Sequence, residues 1–215
     1  MRRALLVLFL AIFAWSMIRP HDWFTWALEV FPAVIGLVLM IATHRRFPLT
    51  PLLVVLIFVH AVILVVGGHY TYARVPLGFW MQDAFGFTRN HYDRIGHFAQ
   101  GFVPAILARE ILIRGRVVRG RGWLFTIVVS ICLAFSAAYE LLEWFVAEVS
   151  GDEGTAFLGT QGDVWDTQKD MALAALGAML AQLLLGRLHD RQLEPVLSAE
   201  SGVLSPAHPQ LRTQD

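Results

Sequence analysis

The chain has 215 residues, 56% hydrophobic and only 16% charged, with a mean hydropathy of +0.56. That excludes an ordinary soluble domain and points to an integral membrane protein of the all-α class. Its 17 basic residues balance its 17 acidic ones. The chain therefore lacks the basic excess that tracks nucleic-acid phosphates, and its lone cysteine, Cys132, excludes an intramolecular disulfide or a thiolate metal site.

Crossing the hydrocarbon core takes about 20 apolar residues. Six segments qualify: 4–18, 25–43, 50–66, 95–112, 123–149 and 166–188. Arg2 and Arg3 before an apolar run resemble the start of a signal peptide. No small-x-small cleavage pattern follows Trp15, so the first segment is expected to stay as a helix. The sequence thus predicts a polytopic six-transmembrane-helix bundle over 1–188. The stretch 189–215 gains Pro, Ser, Gln and charge and reads as a polar, disordered cytoplasmic tail.

Arginine placement sets the expected direction. With the N-terminus inside, ten arginines fall in cytoplasmic segments: Arg2, Arg3, Arg45, Arg46, Arg114, Arg116, Arg119, Arg121, Arg187 and Arg191. Arg19, Arg74, Arg89, Arg94 and Lys169 fall outside, so both termini are expected in the cytoplasm. Membrane lipids are the expected partners, and the basic loop 114–121 reads first as a topology signal.

Three apolar segments carry paired polar residues at helical spacing: Asp93 with His97, Glu140 with Glu143, and Asp166 with Asp170. An ionisable group at mid-membrane costs roughly 2.5 to 3.5 kcal/mol on insertion scales, so such groups face a protein interior or a cavity. The alternating topology brings all three pairs to the outer end of the bundle. Gln100, Ser136, Asp163 and Gln168 fall beside them. The glycine-rich connection 150–165 and the longer loop 67–92 are placed to cover the opening, the former as a folded cap or a mobile lid. Gly177 and Ala181 give a small-xxx-small surface for close helix contact.

Carboxylates and an imidazole are ligands for a divalent cation. Asp93, His97, Asp166 and Asp170 are the candidate metal ligands, and Glu140 or Glu143 the candidate general base of a metal-assisted hydrolase or phosphatase. HExxH, GxSxG and GxxxxGK[ST] are absent. Two other readings fit the same residues. One is a structural or proton-sharing network, in which Asp93 and Asp166 cap helices and carboxylic acids share protons. The other is a proton-coupled transport path. His60 reads as a packing residue, and Glu110 with Arg114 as a helical ion pair.

The segments NHYDRIGHFAQGF, AAYELLEWFVA and FLGTQGDVWDTQKDMALAALGA resemble the YjdF-type family of bacterial inner-membrane proteins, defined around a domain of unknown function. The resemblance implies a multi-pass protein of the bacterial inner membrane and supplies no activity. Asp93-Arg94-Ile95-Gly96-His97, Glu140, and Asp170 with Gly177 are also similar, more distantly, to VanZ-like proteins associated with glycopeptide resistance. The chain departs from that pattern at Ala174, where asparagine is usual, and at Glu143, where glutamine is usual.

Overall fold

The computed structural model describes residues 2–150 and 160–204, with side chains through Glu200. Among them every regular element is a helix: α1 (Arg2–Ser16), α2 (Trp23–Thr43), α3 (Pro51–Tyr70), a 3-10 turn (Tyr72–Arg74), α4 (Pro76–Phe85), α5 (Tyr92–Arg114), α6 (Arg121–Ser150) and α7 (Asp166–Leu204). Local chemistry sets several ends. Asp22 caps α2 by accepting the Thr25 N–H at 2.6 Å, Pro51 and Pro76 start α3 and α4, and Gly86 closes α4 in the left-handed region at φ 68°.

Four helices, α2, α3, α6 and α7, are long and apolar enough to cross a membrane. The other two expected spans correspond to α1 and α5, which fail that measure for different reasons. At 15 residues, α1 is about 22 Å long, short of the roughly 30 Å hydrocarbon core. α5 has the length but carries Asp93, Arg94, Arg109, Glu110 and Arg114. It is the hub of the bundle, packed against α3, α6 and most extensively α7, so its charged ends are shielded by protein.

α5 and α7 meet at small residues. A Cβ on Gly101 would strike the Ala174 carbonyl, and one on Gly177 the Phe98 carbonyl, so the two backbones touch. The apolar core at this level holds Leu53, Ala105, Ile106, Val128, Cys132 and Ala178. The large side chains point the other way: Phe31, Val38, Phe135, Phe145, Leu183 and Leu184 are exposed on the outer faces, the pattern of a bundle solvated by lipid.

Two expectations change. The tail does not begin at residue 189. α7 continues to Leu204 because its extension has a buried face, with His189 and Leu193 fully enclosed and Asp190 and Glu200 bound to Arg109 and Arg114 of α5. Residues 205–215 lie outside those described. The loop 67–92 is mostly helical, holding the end of α3, the 3-10 turn and α4.

Candidate metal centre at the acidic end of the bundle

The start of α5 is fixed by Asn90, which is 1% exposed. Its Nδ2 donates to the Val75 carbonyl at 2.9 Å, and its Oδ1 accepts the Tyr92 N–H at 3.0 Å. Gly78 lies so close to the Asn90 side chain that no Cβ fits there. Gln161 completes the clamp, donating to the Asn90 carbonyl at 2.9 Å and accepting its N–H at 3.2 Å. This lashes α4, α5 and the entry to α7 together and sets the depth of the residues one turn further along.

His97 sits at the centre, 7% exposed. Its Nδ1 faces two acceptors, Gln100 Oε1 at 3.0 Å and Glu140 Oε1 at 3.6 Å, which places a proton on Nδ1. Its Nε2 faces two carboxylate oxygens, Asp93 Oδ1 at 3.3 Å and Asp170 Oδ2 at 4.0 Å. In a neutral imidazole protonated on Nδ1, the Nε2 lone pair would point at two anions. The arrangement therefore calls for positive charge at that point, a second ring proton or a bound cation. One ligand atom from each of Asp93, His97 and Asp170 lies within 4.8 Å of the others.

Above this triad is a layer of ion pairs. Arg94 Nη1 donates to Asp170 Oδ1 at 2.6 Å, and Nη2 to Asp166 Oδ1 at 2.6 Å and Asp163 Oδ2 at 3.1 Å. Arg89 donates to Asp166 Oδ1 at 2.6 Å and to the Thr160 carbonyl, and lies 3.9 Å from Asp93 Oδ2. Lys169 closes on Asp163 at 2.6 Å, and that bond holds the partly buried Asp163 carboxyl below its usual range. Both arginines use one oxygen of Asp93 or Asp170 and leave the other facing His97.

Of the six residues singled out in the sequence, Asp93, His97, Asp170 and Glu140 thus converge. Asp166 lies one layer away, held by the two arginines. Glu143 is buried on the same face of α6, within electrostatic reach of His97 and Glu140. Glu140 accepts from Thr167, yet its Oε1, like the Ser136 hydroxyl one turn away, is buried without a hydrogen bond among the described residues. The glycine-rich connection expected to cap the opening falls mainly on 151–159, outside the described residues.

Glu29 of α2 also faces this site and was not anticipated. It is 5% exposed, takes a hydrogen bond from Tyr72 and lies within electrostatic reach of Asp93 and His97. It is the only acid between Asp22 and Asp83 and sits alone in an apolar span. The membrane cost that marked the other acids marks it too, but it has no partner three or four residues away. Arg89, in the connection before α5, carried no periodicity that could have tied it to Asp166.

The chain matches the family described as "Predicted membrane protein (DUF2238)" over residues 1–191. It is 54% identical over 182 residues to the inner membrane protein YjdF of Escherichia coli K12, covering 85% of this chain and 87% of the relative. No solved structure matches.

Proposed function

This chain belongs to the DUF2238 family of predicted membrane proteins, and from that premise we propose that its acidic end is a divalent-cation centre serving hydrolysis of a phosphate ester in the cell envelope. The observation that carries the reading is the Nε2 edge of His97, which faces one free oxygen each of Asp93 and Asp170. A cation there would take an imidazole nitrogen and two carboxylate oxygens, a donor set suited to Mn, Fe or Zn. A proton on Nδ1, held by Gln100 with the Glu140 carboxylate beyond hydrogen-bond distance at 3.6 Å, supports the tautomer a metal-bound histidine needs.

Charge balance supports the same reading. The buried Glu29, Glu140, Glu143, Asp166 and Asp170 and the partly buried Asp93 and Asp163 gather around Arg89, Arg94 and Lys169, an excess of acid that a cation would offset. The cation would polarise a phosphoryl oxygen and acidify a water. Glu140, with an oxygen left free beside His97, is placed to accept the proton from that water, with Glu143 behind it. Asp166 holds the arginines that orient Asp93 and Asp170. In this reading α2, α3, α5, α6 and α7 cross the inner membrane and the shorter α1 joins them as a sixth span, with the arginine-rich end in the cytoplasm and the centre opening on the outer leaflet.

The test is metal content and thermal stability of the full chain, purified in detergent without chelator. The wild type should hold one ion per chain or gain stability with Mn or Zn. Asp93→Asn and Asp170→Asn should lose that response, and Glu140→Gln should keep it while losing hydrolysis of p-nitrophenyl phosphate. A wild-type protein with no metal and no shift on adding Mg, Mn or Zn would leave His97 as an imidazolium fastening three helices.

A further inference from the structure

At the opposite end of the bundle, α1 and α2 both lean on α3 but diverge from each other. They meet at the top, where Trp26 lies 5.9 Å from Phe13 and donates to Ser16 Oγ at 3.2 Å. Below that contact a groove of about 390 Å³ opens toward the arginine-rich end. Its walls are apolar, with Leu5 and Phe9 from α1, Leu37 and Met40 from α2, and Ile57 and Ala61 from α3. Its mouth is basic, formed by Arg2, Arg3 and His44.

We propose that this groove is a binding site for an anionic phospholipid, one acyl chain lying between α1 and α2 and the phosphate held by Arg2, Arg3 and His44. The volume lies in the range of small-ligand sites. The polarity is sorted as such a ligand requires, with hydrocarbon along the walls and charge at one end. Arg2 spends one Nη2 bond on the Leu49 carbonyl at 2.6 Å, which anchors it across the mouth, and its other donors have no hydrogen bond among the described residues. Arg3 is exposed and has no ion pair among the described residues, and Arg45 and Arg46 add positive charge in the same connection. The sequence places no acid in residues 2–21 or 30–82, so no carboxylate from these segments competes for the arginines. Arginine forks suit a phosphate, whereas a zwitterionic headgroup would bring its own cation against them.

The experiment compares phosphatidylglycerol with phosphatidylcholine on the full chain in detergent, reading retained lipid by native mass spectrometry. Phosphatidylglycerol should be retained preferentially and should raise the unfolding temperature. Arg3→Gln, at an exposed position, should weaken its retention about fivefold, the share of one basic residue near an anionic headgroup. Ala61→Phe, which fills the groove and leaves the arginines in place, should displace it. Equal retention of the two lipids, or unchanged retention in both variants, overturns the proposal. So does a chain-to-chain cross-link through the groove that excludes lipid.

Discussion

Arg94 and His97 divide the Asp170 carboxylate between them: Nη1 of the arginine stands 2.6 Å from Oδ1, while Nε2 of the histidine faces Oδ2 at 4.0 Å. One guanidinium thereby holds Asp163, Asp166 and Asp170 in fixed positions and turns a single oxygen of Asp170 toward the centre. Arg94→Ala leaves these carboxylates short of a cation in a largely enclosed layer and should cost about 3 to 5 kcal/mol of stability. Arg94→Lys should recover only part of that loss, because one ammonium does not reproduce the planar fork. Chemical denaturation in detergent of the three proteins orders them. Equal stability of all three would show that the arginine only decorates the rim.

The other end of α5 carries a second buried network, and it fixes the end of α7. Thr50 Oγ1 donates to Glu110 Oε2 at 2.7 Å, and His189 Nε2 lies 3.1 Å from the same oxygen. Arg109 donates to His189 Nδ1 at 2.9 Å, so that nitrogen accepts and Nε2 carries the proton it gives to Glu110. Ending the chain at Leu188 removes the imidazole and the buried Leu193 together. It leaves the fully buried Glu110 with Arg114 and Thr50 as its remaining partners. The shortened protein should lose at least about 3 kcal/mol, by cavity formation and an exposed polar network. Expression level and thermal unfolding of the truncated chain decide the matter, since a solvated tail would be dispensable.

That expectation marks where the sequence was readable and where it was not. Asp93, His97, Glu140 and Asp170 were legible because the cost of an ionisable group in hydrocarbon singles them out, and alternating helix direction brings them to one level. Glu29 was hidden because its partners are on other helices. The extension of α7 was hidden because composition measures average polarity, while burial of His189 and Leu193 depends on one face meeting the polar end of α5. Hydropathy likewise understates α5, whose charges are enclosed by the helices around it.

Asp22 offers a test of local structure outside the spans. The Thr25 N–H bond holds its carboxyl below the usual 3.8. A group depressed on folding stabilises fully above its unfolded value and loses that contribution as pH falls through the lower folded one. The cap of α2 should therefore be intact at neutral pH and weaken only in strong acid. Asp22→Ala should cost about 1 kcal/mol at neutral pH, and Asp22→Asn much less, since an amide oxygen also caps. Below the folded value the gap between wild type and Asp22→Ala should narrow. A gap that is constant with pH would mean that the side chain contributes by packing instead of by its charge.

The seam between α5 and α7 sets how rigidly Asp170 is presented to His97. A methyl group at Gly101 would meet the carbonyl of Ala174, a backbone atom of a packed helix that has no side-chain rotation with which to yield. Gly101→Ala should force the helices apart and destabilise the protein by about 1 to 3 kcal/mol, even though alanine is the better helix former. Gly36→Ala in α2 has open space around its Cβ and should be neutral or stabilising by up to about 1 kcal/mol. The paired comparison separates helix propensity from interhelical contact. Because Asp170 lies one turn before Ala174 on α7, Gly101→Ala should also lower any response to Mn or Zn, and Gly36→Ala should leave that response unchanged. Equal behaviour of the two variants in both measurements would place the seam outside the determinants of the centre.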